Sequence, residues 1–270
     1  MDRQSILAIL KEIPAGQELG GELVCLDIID STNTECKRRA EAGAPHGLVV
    51  VSREQTGGRG RLGRSFQSPK DCGLYFSLLL RPRLSPLEVV DFTAWTAVAV
   101  CDAIEQVCGL RPRIKWTNDL VLNGKKLCGI LTEMSLNRDT NALEYLVAGI
   151  GINVNHKKED FDPELRDIAT SLSMELGKNV DLSVLAAALI ENMARMYSVF
   201  PQNKQEYLER YRADCMTTGH QVQLITPASR QQARAIAIDD EFRLVVELPD
   251  GSQKALSAGE VSVRGMYGYV

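Results

Sequence analysis

The stretch Lys115-Trp116-Thr117-Asn118-Asp119-Leu120-Val121-Leu122-Asn123-Gly124-Lys125-Lys126-Leu127-Cys128-Gly129-Ile130 sets two apolar runs on either side of an Asn-Gly pair. Asn-Gly is the strongest two-residue hairpin signal, because both central residues of the tight turn need positive φ. The spacing predicts antiparallel strands over 120–122 and 126–134, with a short strand over 113–116 before them. A two-residue turn also fixes register, so Lys126 should project from a rigid scaffold rather than from a loose loop.

Working outward, a strand over 143–154 follows the hairpin, and helices over 182–200 and 204–211 follow that strand. Upstream, strands are expected over 23–29, 47–52 and 73–80. Residues 1–19 read as a short helix and a Pro/Gly-containing connection. Thr32-Asn33-Thr34-Glu35 has the spacing of a capping box, which predicts a helix from there to Gly43. Ser85-Pro86-Leu87-Glu88 combines a cap, a proline at the first helical position and a closing glutamate, and predicts a helix through Trp95 to Gly109. After Cys215 the pattern changes to short strands over 222–225, 232–238, 242–248 and 260–264, separated by Asp239-Asp240 and Pro249-Asp250-Gly251 turns. The expected fold class is α+β followed by a small, barrel-like all-β unit.

Composition narrows the function classes. The chain has 270 residues, 44% hydrophobic and 24% charged, and a formal net charge of −4. That balance suits a folded protein with a sizeable core and opposes one whose main role is coating nucleic acid. Seven scattered cysteines without a Cys-x-x-Cys pair suggest reduced thiols rather than a zinc site or disulfide framework. The start of the chain has too short an apolar run for a signal peptide. No stretch approaches the roughly 18 apolar residues of a membrane span. The expectation is a soluble, cytoplasmic protein without a membrane partner.

Three segments carry chemistry. In Thr56-Gly57-Gly58-Arg59-Gly60-Arg61-Leu62-Gly63-Arg64, four glycines let successive N–H groups approach an anion, and three arginines add charge suited to carboxylate and phosphate. Read blandly, the same run is a solvated flexible loop or an RNA contact. It lacks the Gly-Lys-Ser/Thr of a P-loop and the spacing of a dinucleotide fingerprint. Lys126 offers a positioned ammonium for charge developing on phosphate, although Lys125 and Lys126 also read as exposed turn charges. Gly149-Ile150-Gly151-Ile152-Asn153-Val154-Asn155 places two glycines in a β-branched strand, which signals close packing, a bulge or a ligand.

Taken in order, Asp30-Ser31-Thr32-Asn33, Gly58 through Arg64, Lys115 through Asp119, Lys126 through Leu131 and Gly149 through Asn153 resemble the motifs of the biotin–protein ligase family. The resemblance spans essentially the whole chain. It implies a mixed sheet flanked by helices, like that of class II synthetases, over residues 1–215, and an SH3-like β-barrel over 216–270. The implied activity is activation of biotin with ATP and Mg²⁺ to biotinyl-5′-AMP, releasing pyrophosphate. Biotin then passes to a lysine of a biotin carboxyl carrier protein, as in a biotin–[acetyl-CoA-carboxylase] ligase.

The resemblance also assigns residues. Ser31, Thr32, Asn33 and Gln55 would hold the ureido end of biotin, and Gly129, Ile130 and Leu131 would line its slot. Gly58, Arg59, Gly60 and Arg61 would form the loop over biotin and adenylate. Arg61 and Lys126, taken as the catalytic pair, would lie against the carboxylate and α-phosphate. Arg64, Asn118 and Asn153 would serve the nucleotide, and Asp119 the magnesium ion. Phe66 stands where tryptophan is common in the family and would stack on adenine or close the lid.

About 20 residues precede the first expected strand. That is too few for the helix-turn-helix of the family's repressors, so a ligase-only form without DNA binding is expected. An exposed sheet edge would admit a homodimer. The nearest rival is a lipoate or octanoyl ligase of the same fold, which would lack the Gly-Arg-Gly-Arg-x-Gly-Arg pattern. A nucleic-acid-binding module is opposed by the acidic balance and by the absence of aromatic residues interleaved with the arginines.

Overall fold

The computed structural model describes residues 1–11, 19–226 and 229–257, and the backbone of 262–265. The strands β1 (Leu23–Leu26), β2 (Val49–Ser52), β3 (Gly73–Leu80), β4 (Arg113–Lys115), β5 (Asp119–Leu122), β6 (Lys125–Leu136) and β7 (Leu143–Asn153) form one sheet. Its order is β1-β2-β3-β7-β6-β5-β4, with β1 and β2 parallel and every other pair antiparallel. This is the mixed sheet that was expected.

The helices are α1 (Arg3–Leu10), α2 (Thr32–Glu41), α3 (Phe92–Cys108), α4 (Leu172–Leu176), α5 (Leu182–Val199) and α6 (Lys204–Asp214). One face of the sheet, with Leu146, Ala148, Ile150 and Ile152 of β7, joins the main core shared with α3 and α5. Trp95 of α3 anchors this side, stacked on Tyr207 of α6 at 4.2 Å and edge-on to Phe200 at 5.0 Å. Burial of that many aromatic and aliphatic side chains is what holds the layers together, at roughly 1.5–3 kcal/mol for each large side chain.

The other face decides where a ligand can go. Along β7 it reads Tyr145, Val147, Gly149, Gly151, Asn153, because side chains alternate across a strand. Tyr145 and Val147 pack with Leu79, Cys36 and Ala40 beneath α2. Beyond them the same face carries two glycines, Gly149 and Gly151, before Asn153. The helix covers the bulky half of this face, and the bare half is the floor of a cleft.

Several boundaries moved for identifiable reasons. The N-cap of α2 is Ser31, not Thr32: its hydroxyl accepts from the Thr34 amide, one residue earlier than the Thr32–Glu35 spacing predicted. The Ser85/Glu88 capping box exists, but it closes a short 3-10 turn over Pro86–Val89, and α3 starts separately at Phe92. The expected strand over 23–29 stops at Leu26, with Ile29 making only an isolated bridge to Gln55.

After Cys215 come β8 (Gln221–Ile225), β9 (Arg230–Ile238), β10 (Leu244–Glu247), β11 (Gln253–Leu256) and β12 (Ser262–Gly265), an antiparallel sheet in the order β11-β10-β9-β8-β12. The Gln253–Leu256 strand was not foreseen, since its polar sequence carries no alternating apolar signal. The connection expected over 12–18 and the first residues of the strand expected over 260–264 lie outside the described residues. This second sheet is tied to the first: Trp116 Nε1 donates to the Phe242 carbonyl at 2.9 Å, and Arg212 Nε to the Ile238 carbonyl at 2.8 Å.

Candidate active site

A cleft of about 770 Å³ opens over the glycine floor. Its walls include Ser31, Thr32, Asn33, Gln55, Arg59, Gly60, Arg61, Arg64, Phe66, Asn118, Asp119, Lys126, Gly129, Ile130, Leu131 and Asn153, so the chain brings together all but one of the residues that the resemblance assigned to the site.

Gly58 is the one outside the wall. A Cβ there would lie 2.3 Å from the Phe66 carbonyl oxygen, so the glycine is needed behind the surface, inside the loop. That loop is a small finger. Phe66 N donates to Gly58 O at 2.9 Å, Gly60 N to Arg64 O at 2.7 Å, and a 3-10 turn over Arg61–Gly63 forms the tip. Leu62 at the tip has φ of 57°, a left-handed conformation that is strained for a branched side chain.

The floor is built by register. Gly129 on β6 faces Gly151 on β7, and Leu131 faces Gly149. The Phe66 ring lies across two of these glycines: a Cβ on Gly151 would meet it at 2.6 Å and one on Gly129 at 3.5 Å.

Lys126 reaches this face through a bulge. Along β5 and β6, Asp119 pairs with Gly129, Leu120 with Cys128 and Val121 with Lys126, so Leu127 is the extra residue. Simple alternation over three positions would put Lys126 on the face opposite Gly129, and the bulge returns it to the same face. Its ammonium then lies 2.8 Å from Asp119 Oδ1. The backbone of Lys126 is held on its other side as well, donating to Ile168 O and accepting from Thr170 N.

Arg61 crosses the cleft to Asn118, with Nη1 donating to Oδ1 at 2.8 Å. Asn118 in turn donates to Ile130 O at 3.0 Å. Burial holds the Arg61 guanidinium below its ordinary pKa and Arg64 adds to that, while Asp119 opposes it. The guanidinium stays ionised, in a position where a bound anion would be welcome.

At the other end a buried polar chain runs from the first turn of α2. The Thr32 amide and hydroxyl donate to Gln55 Oε1, and Gln55 Nε2 donates to Ser68 Oγ at 2.9 Å. Ser77 Oγ lies 2.8 Å from Thr32 Oγ1 and donates to Asn33 Oδ1 at 2.6 Å.

Residues 161–169 form a wall that sequence reading missed, with Phe161, Asp162, Glu164, Leu165, Ile168 and Ala169 facing the cleft. The segment has little regular structure, so no periodicity marked it. Asn153 Nδ2 pins its end by donating to Thr170 O at 3.0 Å. Gln67 of the finger exchanges two hydrogen bonds of 3.1 Å with Asp162. Lys115 and Trp116 were legible only as part of a motif, and both side chains are buried against the cleft. Gln223 enters from β8.

His156 supports the same wall, stacked on Phe161 at 4.8 Å and 9°. Burial pushes its imidazole down to about 4, with nearby Asp160 opposing. The fold favours the neutral ring, so its contribution is complete above the ordinary value near 6.5 and is lost as pH falls toward 4. The loss is on the order of 3 kcal/mol. Melting temperature should therefore fall less between about pH 7.5 and about pH 4.5 in His156→Phe than in the wild type. Parallel falls would remove His156 as the cause.

The Biotin/lipoate A/B protein ligase family model matches residues 25–153, and the Biotin protein ligase C terminal domain model matches residues 217–264. The bifunctional ligase/repressor BirA of Bacillus spizizenii is 35% identical over 241 residues, which cover 89% of this chain and 74% of that protein. The chain belongs to the biotin protein ligase family. A second member, the biotin–[acetyl-CoA-carboxylase] ligase of Mycobacterium tuberculosis, is 31% identical over 247 residues, 87% of this chain and 88% of that one. Among family members of solved structure, the biotin protein ligase of Aquifex aeolicus in complex with biotin and ATP superposes with a TM-score of 0.75. It is 28% identical, and the match covers 90% of this chain and 99% of that one. No described helix is long and apolar enough to cross a membrane.

Proposed function

We propose that the cleft is a biotin–protein ligase site. It would activate biotin with ATP to biotinyl-5′-AMP and transfer biotin to a lysine of a biotin carboxyl carrier protein or domain. The observation that carries this reading is the placement of Lys126, by the β6 bulge, on the same face as the glycine floor and within 2.8 Å of Asp119. Relatives and superposable structures named for biotin, ATP and biotinyl-5-AMP support it, and they favour it over lipoate ligation.

In this reading the ureido end lies by Ser31, Thr32, Asn33 and Gln55, and the ring and chain run beside Gly129, Ile130 and Leu131. The carboxylate then reaches Lys126 and Arg61. A carboxylate oxygen attacks the α-phosphorus and the bond to pyrophosphate breaks, so the site's task is to hold two repelling anions in line. Lys126 and Arg61 supply the counter-charge, with Arg59 and Arg64 on the rim and Asn118 and Asn153 on the nucleotide side.

The Asp119 carboxylate is a hard oxygen donor of the kind Mg²⁺ takes alongside phosphate oxygens, and bound there the ion would draw charge from the phosphates. In the second step the carrier lysine nitrogen attacks the acyl carbon and AMP leaves. Until then the mixed anhydride must be kept from water, and the finger with Phe66 suits a lid. Division into a catalytic unit through residue 215 and a C-terminal unit from 216 belongs to the same proposal. It is supported by the two sheets and the two separate family matches.

The direct test is incubation with ATP, Mg²⁺ and biotin, followed by mass spectrometry of the protein-bound fraction. Biotinyl-5′-AMP is the expected species, and its absence would overturn the reading. Arg61→Ala should release adenylate into solvent faster than the wild type, by roughly tenfold or more for a lost charge-assisted contact. Equal release would remove the lid role.

A further inference from the structure

The family model that matches residues 25–153 is shared by biotin and lipoate ligases, so side chains in this cleft must discriminate between the two acids. Biotin carries a ureido ring with two N–H donors, whereas the dithiolane of lipoate has none. The site therefore needs acceptors aimed at the ring.

Asn33 is buried in the first turn of α2, and its amide is fixed from three sides. Nδ2 donates to the Leu131 carbonyl at 3.2 Å and to Glu133 Oε2 at 2.9 Å. The Ser77 hydroxyl donates to Oδ1 at 2.6 Å. Both N–H bonds of the amide are thereby used on β6, and the group facing Gly149 on the cleft floor is the oxygen. A carbonyl oxygen has a second lone pair beyond the one Ser77 takes. An amide turned the other way would instead meet a ureido donor with a donor of its own.

Glu133 is not a wall of the cleft. It lies two residues beyond Leu131, on the same face of β6. Its other carboxylate oxygen accepts from Lys37 Nζ at 2.7 Å. Lys37 is one helical turn beyond Asn33, so the two reach down from the same side of α2 onto one carboxylate. Burial raises the Glu133 carboxyl, but Lys37 and the Asn33 amide outweigh it and keep the group ionised.

We propose that Glu133, held by Lys37, is a positioning residue that keeps the Asn33 amide oxygen facing the cleft and so selects an acid bearing N–H donors over one that lacks them. The inference rests on the biotin-ligase reading of the cleft. Glu133→Leu removes the charged acceptor and leaves one buried N–H of Asn33 unsatisfied. Glu133→Gln keeps an acceptor at the same place.

The test is steady-state pyrophosphate release with biotin and with dethiobiotin, which keeps the ureido ring, together with inhibition of the biotin reaction by lipoate. In Glu133→Leu, KM for biotin and for dethiobiotin should rise roughly tenfold to a hundredfold, the range of a hydrogen bond to a charged group. KM for ATP, kcat and the inhibition constant for lipoate should stay near wild type, and Glu133→Gln should restore most of the loss. A general loosening of α2 against β6 would instead weaken lipoate and biotin together, or alter kcat, and that result would overturn the proposal. So would an unchanged KM for biotin. Should Glu133→Leu not fold, Glu133→Ala paired with Lys37→Ala removes the same acceptor without leaving a lone charge, with the same expected and overturning results. Wild type that fails to turn over biotin would refute the reading of the cleft. Wild type that turns it over while the variants match it would refute only the role of Glu133.

Discussion

Lys126→Ala is expected to lower biotin-dependent ATP–pyrophosphate exchange by about 10²- to 10³-fold, the effect of deleting one preorganised charge at a developing anion. The fold should survive. The Lys126–Asp119 pair is part-exposed, with side-chain exposures of 29% and 19%, so its loss costs at most about 1 kcal/mol. The backbone bonds of Lys126 to Ile168 and Thr170 do not depend on its side chain. A melting temperature close to wild type combined with lost exchange would support the assignment. Near-normal exchange in a folded Lys126→Ala protein would sink it. Lys126→Arg is an informative companion, because a planar fork cannot occupy the position of a compact ammonium beside Asp119. It should recover little of the loss.

The second large effect is expected at the floor. A methyl group on Gly149 would lie 2.0 Å from Asn33 Oδ1, and the amide it strikes is already fixed by Ser77, Leu131 and Glu133. Gly149→Ala must therefore push Asn33 and the first turn of α2 off the sheet. Overpacking of this kind costs about 1–3 kcal/mol of stability. It should also raise KM for biotin by tenfold or more, since the displaced amide is one of the polar groups that would meet the ureido ring. Gly129→Ala is the comparison. Its added methyl would touch Lys126 and Phe66 at ordinary contact distance, 3.5 Å, so stability should change little. Measured melting temperatures should separate the two variants, with Gly149→Ala the lower. If both melt alike and bind biotin alike, the close approach of Asn33 to the floor is not what the glycine is for.

Much of this is legible in the sequence. The Asn-Gly turn, the apolar runs and the change of character after Cys215 led to an α+β fold with a small terminal all-β unit, because hairpin chemistry and alternation are local properties, whereas the mixed sheet was implied by the family resemblance. The glycines and arginines of residues 56–64 announced a loop for an anion, and five ordered motifs joined that loop to Lys126 and to Gly149 and Gly151. These signals survive in sequence because each depends on the chemistry of a few neighbouring residues.

What lay beyond reach depends on residues far apart in the chain. The face on which Lys126 emerges turns on a one-residue bulge at Leu127, decided by how β5 and β6 pair rather than by either strand alone. The 161–169 wall has no periodicity to betray it, and it becomes part of the site only because Lys126, Asn153 and Gln67 hold it there. Gly58 looked like its neighbours in the motif, yet close approach of the Phe66 carbonyl places it behind the surface. The sequence by itself determined the chemistry on offer: a carboxylate- and phosphate-seeking loop, a lysine on a hairpin and a glycine-bearing strand. Only the tertiary structure decided which of these groups face one another, because strand register, a bulge and the partial cover of one sheet face by α2 are set by long-range pairing and packing.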